Sequence, residues 1–414
     1  MKFFRQTYES LRFAWQALRS NLLRTTLSLL GVTVGIFAII GVLTIVDSLE
    51  RNIRTSVAEI GNDVIYIQKW PWVFDGNFPW WKYFQWPETN YSDYKFLADR
   101  MEGAAAVVAM DFKGNQNVKN GNNSMAALVQ GVTYDYYKVS EVKIGQGRYF
   151  TPQEANQGRA VVIIGSEIAE TLFPSDPDPS GKVMKIKGLK YIIIGVQQKK
   201  GKGLFDIAGN PDTKVLMPYV AFSKVFKFRE PSIDIVLKGL PNDKGQVELE
   251  AEATGLLRTK RGLKPTQDKN FSINRPEALS AAIGGIFGVL NVAGWVIGIF
   301  SLLVGGFGIA NIMFVSVKER TNLIGIQKSL GAKNYFILFQ FLFEAIFLSL
   351  VGGLVGIILV YLLSFIPLDM LDIVLTPKNI VLGLTVSSVI GVLSGIIPAF
   401  SAARMDPVEA IRSK

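Results

Sequence analysis

The side chains able to do chemistry are sharply limited in this 414-residue chain, because it contains neither histidine nor cysteine. Catalytic triads, cysteine nucleophiles, imidazole or thiolate zinc sites, redox pairs and disulfides are all excluded. Carboxylate catalysis and carboxylate-bound Mg²⁺ or Ca²⁺ survive that filter, but no paired carboxylates stand at a spacing suited to acid–base work. The run Lys199-Lys200-Gly201-Lys202-Gly203 imitates a phosphate cradle. A P-loop needs GxxxxGK[ST] between a strand and a helix, which no segment supplies, so the run reads as a solvated turn. Five of the seven tryptophans fall close together, at Trp70, Trp72, Trp80, Trp81 and Trp86, with Phe74, Phe78, Tyr83 and Phe84 among them. Either these rings pack a long loop onto its own domain, or they form an exposed surface for a partner protein, an apolar cargo or a lipid interface.

The elements that must position these groups follow from where charge is missing. Windows 25–46, 278–317, 345–368 and 379–403 carry no charged residue over 22, 40, 24 and 25 positions. About 20 apolar residues cross a bilayer as a helix. The fold class is therefore a membrane protein, with four transmembrane α-helices and a large mixed α/β extracytoplasmic domain between helices 1 and 2. Short loops rich in Lys and Arg stay cytoplasmic. Segments 1–24, 318–333 and 404–414 together hold twelve basic against four acidic residues, whereas 369–378 holds Asp369 and Asp372 against Lys378. Both termini and 318–333 are placed inside, and 47–277 and 369–378 outside. Most of the net charge of +10 is thus topological, and nucleic-acid binding is not expected. The 25–46 window is too long for a cleaved signal peptide and lacks a small-residue cleavage pattern.

Before the first window, Phe4, Tyr8, Leu11, Trp15, Leu18 and Leu22 recur at helical spacing, with Arg5, Arg12 and Arg19 on another face. Residues 1–24 read as a cytoplasmic amphipathic helix on membrane lipid, or as a continuation of transmembrane helix 1 (25–46). The 278–317 window is about twice the length one crossing needs. It reads as a stalk plus transmembrane helix 2, followed by a cytoplasmic loop or helix at 318–333. Residues 334–368 hold transmembrane helix 3 and 379–403 helix 4. Glu344 is the one ionisable residue near a spanning segment, a candidate membrane-embedded functional acid or a structural group near the headgroups. Glycine pairs 31/35, 284/288, 294/298, 352/356 and 391/395 repeat GxxxG spacing, which favours a tightly packed bundle with a second copy of the chain. In the outer segment, β-type runs are expected at 64–68, 105–110, 125–132, 160–164, 182–186, 191–196, 215–217 and 233–237. Helices are expected at 92–101, 166–173 and 243–259.

Specific residues in this plan match a family. They are Lys318-Glu319-Arg320-Thr321, Ile324 through Lys333, Glu344, Gly352-Gly353, Gly356, Pro398-Ala399 and Asp406 through Arg412, with Gly147 through Thr151 and Val162 through Gly165 in the outer domain. Over essentially its whole length the chain resembles the MacB/FtsX-like permeases of ABC transporters. The resemblance implies a dimer, of two copies or with a paralogue, and a separate ABC ATPase subunit that holds ATP and Mg. This chain itself would bind no cofactor. It implies that Lys318, Glu319, Arg320, Leu323, Ile324, Gly325, Lys328, Gly331 and Ala332 form the segment coupled to that ATPase. Where relatives commonly carry an acidic residue before Ile-Gly, this chain has Leu323, which exchanges a salt bridge for an apolar contact. Motion of the ATPase would pass through the stalk to a periplasmic core domain, driving efflux of a hydrophobic or amphiphilic substrate with a periplasmic adaptor and an outer-membrane duct. Some relatives instead activate a cell-wall hydrolase or release lipoproteins.

Overall fold

The computed structural model describes residues 22–58, 60–61, 63–73, 78–201, 209–226, 232–243, 245–366 and 373–412. The expected helix before residue 22 and Phe74 lie outside the described residues. In chain order the elements run α1 (Leu22–Ala58), β1 (Val64–Gln68), α2 (Tyr91–Ala98), β2 (Ala104–Asn120), β3 (Asn123–Val132), β4 (Ile144–Gly147), β5 (Val161–Ile164) and α3 (Ser166–Leu172). There follow β6 (Val183–Ile186), β7 (Leu189–Gln197), β8 (Lys214–Pro218), β9 (Asp234–Gly239), α4 (Val247–Lys260) and β10 (Ser272–Asn274). The chain closes with α5 (Pro276–Glu319), α6 (Thr321–Ser329), α7 (Asn334–Leu363), α8 (Pro377–Arg404) and α9 (Pro407–Arg412). Two compact units result: one holds residues up to Glu50 and from Gly285 onward, the other Arg51–Gly284.

Helices α1, α5, α7 and α8 are long and apolar enough to cross a membrane. Their shared core holds Ile36, Ile40, Phe341, Ala345 and Ala399. Glycines let the backbones close. A methyl group on Gly391 would stand 2.7 Å from Ile346 Cα, one on Gly356 3.0 Å from Thr33 O, and one on Gly35 3.1 Å from Ser301 O. Much of the GxxxG pattern is therefore absorbed by contacts within this chain, whereas Gly288 faces open space. Polar side chains add cross-links between the helices. Ser349 Oγ donates to Ser387 O at 2.6 Å, and Asn379 Nδ2 donates to Asp47 Oδ2 at 3.0 Å. Helix α1 continues twelve positions beyond the charge-free window, ending at Ala58, because Arg51 and Arg54 can lie along a helix outside hydrocarbon as readily as in a loop.

The second unit is built on one sheet, whose order among the described residues is β10-β1-β9-β2-β3-β8-β5-β7-β4, with β6 paired to β2 and β7. Only β3·β8 and β5·β7 run parallel among the described strands; the rest is antiparallel, and the burial of all four residues of β5 shows that both faces are covered there. Helix α3 closes over Val162, Ile164 and Met217, while α4 buries Leu249, Ala253 and Leu257 on Ile65 and Leu237. Strand β2 runs to Asn120 rather than stopping at 110. The register to β3 shifts between Lys113 and Gln116, and Asn115 takes φ 53° there, so a bulge breaks the alternation that a sequence pattern relies on. Strands β4 and β10 and the short helices Pro152–Gln157 and Tyr219–Val225 are additional to the expected elements.

Candidate functional site

The segment after α5 is organised by a break at Arg320, whose backbone leaves the helix at φ −103°, ψ 14° before α6 begins. Positions 324, 325 and 328 fall on one face of α6 and point inward. Ile324 is buried in the bundle core. Gly325 lies under α9, where an added methyl would stand 3.0 Å from Ala410 Cβ. Lys328 Nζ donates to Ala403 O at 2.9 Å and Met405 O at 2.7 Å, satisfying carbonyls left open at the C-terminal end of α8. Arg320 Nη1 donates to Glu344 Oε2 at 3.3 Å, and Ser316 Oγ reaches the other carboxylate oxygen at 3.5 Å. Glu344, only 4% exposed, is thus a buried ion-pair partner inside the bundle.

The opposite face is apolar and open. Leu323, Ile326 and Leu330 are exposed, Leu330 by 84%, and Val408 and Ile411 of α9 are exposed as well. Gly331 turns the chain at φ +96°, a conformation that favours glycine, which ends α6 and starts the link to α7. Ala332 packs partly against the core, and Lys318 and Glu319 are exposed. The nine residues of the expected coupling segment are therefore brought together, but they divide. Ile324, Gly325, Arg320, Lys328 and Ala332 serve the bundle. Lys318, Glu319, Leu323 and Gly331 face outward. Sequence reasoning missed the contribution of Val408 and Ile411, although α9 follows α8 by two residues and repeats apolar residues three apart.

The tryptophan segment divides too. Trp72 serves packing: its ring lies 4.9 Å from Tyr66, its Nε1 donates to Gln68 Oε1 at 2.7 Å, and its backbone N donates to Asn274 Oδ1 at 2.9 Å. Asn274 Nδ2 also holds Trp70 O at 2.9 Å, fixing the start of the loop to the sheet. Tyr83 gathers Trp86 at 4.6 Å, Phe78 at 5.4 Å and Trp70 at 6.3 Å. Trp80 and Trp81 remain outside, each 57% exposed, beside the exposed Phe84 on the one-turn helix Trp80–Phe84. Lys82 donates to Asp268 at 2.7 Å and holds that helix down.

The Lys199–Gly203 run is not an open cradle in the part that is described. The N–H groups of Lys200 and Gly201 already donate to the carboxylate of buried Asp212, at 2.9 and 2.7 Å, and Ser166 Oγ joins them at 3.0 Å. Lys199 pairs with Glu170 at 2.9 Å. The Gly147 through Thr151 stretch is a structural corner. Gly147 turns at φ +76°, Phe150 is buried, and Thr151 and Glu154 form a capping box. Arg148 holds both Glu154 oxygens at 2.7 Å, which pulls that carboxyl down to about 2.

Comparison with known proteins agrees with this anatomy. A family model described as MacB-like periplasmic core domain matches residues 25–254, and one described as FtsX-like permease C-terminal matches 295–407. "Macrolide export ATP-binding/permease protein MacB" of Escherichia coli strain K12 is 29% identical over 97% of this chain, and its namesake in Psychrobacter arcticus is 28% identical over 99%. The chain spans 60% of the length of each. The solved periplasmic region of MacB from Actinobacillus actinomycetemcomitans aligns at TM-score 0.43 and 19% identity, covering 55% of this chain and 95% of that one. Four candidate spans and a periplasmic-type domain fit a multi-pass inner-membrane protein. With matched models accounting for both the outer unit and the helices that follow it, the chain belongs to the MacB/FtsX-like permease family of ABC transporters.

Proposed function

We propose that this chain is the membrane subunit of an ABC export system, coupling ATP turnover on a separate ATPase subunit to its periplasmic domain. The observation that carries the reading is the outward face of α6. A loop exposed to the cytoplasm should be polar, yet Leu323, Ile326 and Leu330 stand open there with Val408 and Ile411 beside them. An apolar face on a short helix suits a seat on a partner protein, with Lys318 and Glu319 at its rim. Helix α5, 44 residues and about 66 Å long, offers a continuous element along which displacement can travel. Cargo would then be moved by rearrangement of the outer domain, and the exposed Trp80 and Trp81 supply a surface for a hydrophobic or amphiphilic cargo or an adaptor. Dimer formation, with a second copy or a paralogue, and an adaptor with an outer-membrane duct belong to the same reading.

The test is affinity purification of the tagged full chain in detergent, with identification of what accompanies it. Recovery of an ABC ATPase is expected from the parent chain. Its loss is expected from Leu323→Asp and Leu330→Asp, both with unchanged helix content. Recovery of the ATPase by both variants would remove α6 as the seat, and recovery of none by the parent would remove the reading itself.

A further inference from the structure

The two charged residues of the coupling segment that point inward have a role distinct from docking. We propose that Arg320, paired with Glu344, and Lys328 are positioning residues that fasten α6 to α7 and α8, so that displacement of its outer face reaches both helices at once. The inference rests on α6 being the seat of a partner, and it goes beyond that reading by separating the groups that receive the force from those that pass it on.

The geometry supplies two anchors at opposite ends of one short helix. At the first, Arg320 sits at the break between α5 and α6, with its guanidinium 3.3 Å from a carboxylate carried by α7. That carboxylate also takes the Ser316 hydroxyl of α5 at 3.5 Å, so one buried group ties α5, α6 and α7. A carboxylate among apolar helices is costly unless paired, and removing one partner leaves the other uncompensated. At the second anchor, the Lys328 ammonium bridges the carbonyls of Ala403 and Met405, on either side of the end of α8. A cation there meets the negative end of the helix dipole as well as two unpaired acceptors. Between the anchors, Ile324 is the apolar plug and Gly325 permits the close approach of α9. Ile324 and the packing of Gly325 on α9 hold the middle of α6, and the two anchors fix its ends, since a nine-residue helix is too short to stay folded by itself.

Because the chain has no cysteine, introduced thiols can be spin-labelled cleanly. In the full chain in lipid nanodiscs, distances are measured for the pairs Leu323→Cys with Phe339→Cys and Leu330→Cys with Phe400→Cys. The parent is expected to give a narrow distribution for each. Glu344→Gln should lose the narrow peak of the first pair, Lys328→Met should lose that of the second, and the exchange Arg320→Glu with Glu344→Arg should restore the first. Both single variants should still retain the ATPase subunit on purification, since neither alters the outward face. An unchanged distribution in the single variants, or failure of the exchange to restore it, overturns the proposal. If Glu344→Gln does not fold, Lys328→Met decides alone, an unchanged second distance overturning it. Absence of any ATPase from the parent would count against the docking reading, while the distances would still judge the anchors.

Discussion

At the scale of single residues, two carboxyl groups of the outer unit respond to pH in opposite senses. Glu154 is held near 2 by Arg148, so its contribution is present above its ordinary value of 4.5 and fades as pH falls towards 2. Asp234 is pushed from 3.8 up to about 6, chiefly by burial, with Asp111 adding to the rise and a hydrogen bond from Gln68 opposing it. An acid that resists ionisation in the folded state leaves stability whole below about pH 4 and removes it as pH climbs through 6. Asp234→Asn should therefore raise the stability of this unit at pH 7.5 by on the order of 1–2 kcal/mol, with the gain vanishing by pH 4. Thermal unfolding at both pH values checks it; an equal gain at pH 4 would assign the effect to something other than ionisation. Gly165 makes a second, pH-independent case. A methyl there would collide with the backbone carbonyls of Pro211 and Asp212. Gly165→Ala should cost about 1–3 kcal/mol by overpacking, read as a lower melting temperature.

At the scale of elements, the charge-free windows disclosed the spanning helices because hydrocarbon excludes unpaired charge and leaves a plain mark in composition. The same logic could not tell which way a charged side chain turns once it lies beside the bundle. Lys328 and Arg320 read as members of a basic cytoplasmic segment coupled to an ATPase, yet both end on partners inside the chain. Trp72 and Trp81 lie nine positions apart in one aromatic run, and the contacts of Trp72 with Tyr66, Gln68 and Asn274 separate packing from exposure. Strand β4 reads Ile-Gly-Gln-Gly and β10 Ser-Ile-Asn, each with a single β-forming residue, so neither leaves a strand signal in the sequence. Glycine spacing likewise marked close approach without saying to what. The contacts make the distinction testable. Gly391→Val should separate α7 from α8 and lower the melting temperature in detergent, since even a methyl would stand 2.7 Å from Ile346 Cα. Gly288→Ala, with open space around it, should leave the melt where it was. Equal losses from both would mean that Gly288 meets a second chain.

At the scale of the whole molecule, every functional statement depends on which side of the membrane each unit occupies. Lysine and arginine in short loops are retained on the cytoplasmic side, and segments 1–24, 318–333 and 404–414 carry twelve of them against four acids. The topology proposed from this count has four crossings, with both termini and α6 expected on one side and the unit Arg51–Gly284 on the other. A cysteine-free chain permits a direct check in intact cells, using a thiol reagent that does not cross the inner membrane. Trp81→Cys, exposed on the outer unit, should be labelled from outside. Leu330→Cys, more exposed still at 84%, should be labelled only after the membrane is opened. Labelling of both from the same side would place the apolar face of α6 and the tryptophans in one compartment. No motion could then be passed across the bilayer between them, and an ATPase seated on α6 would have nothing to drive on the far side.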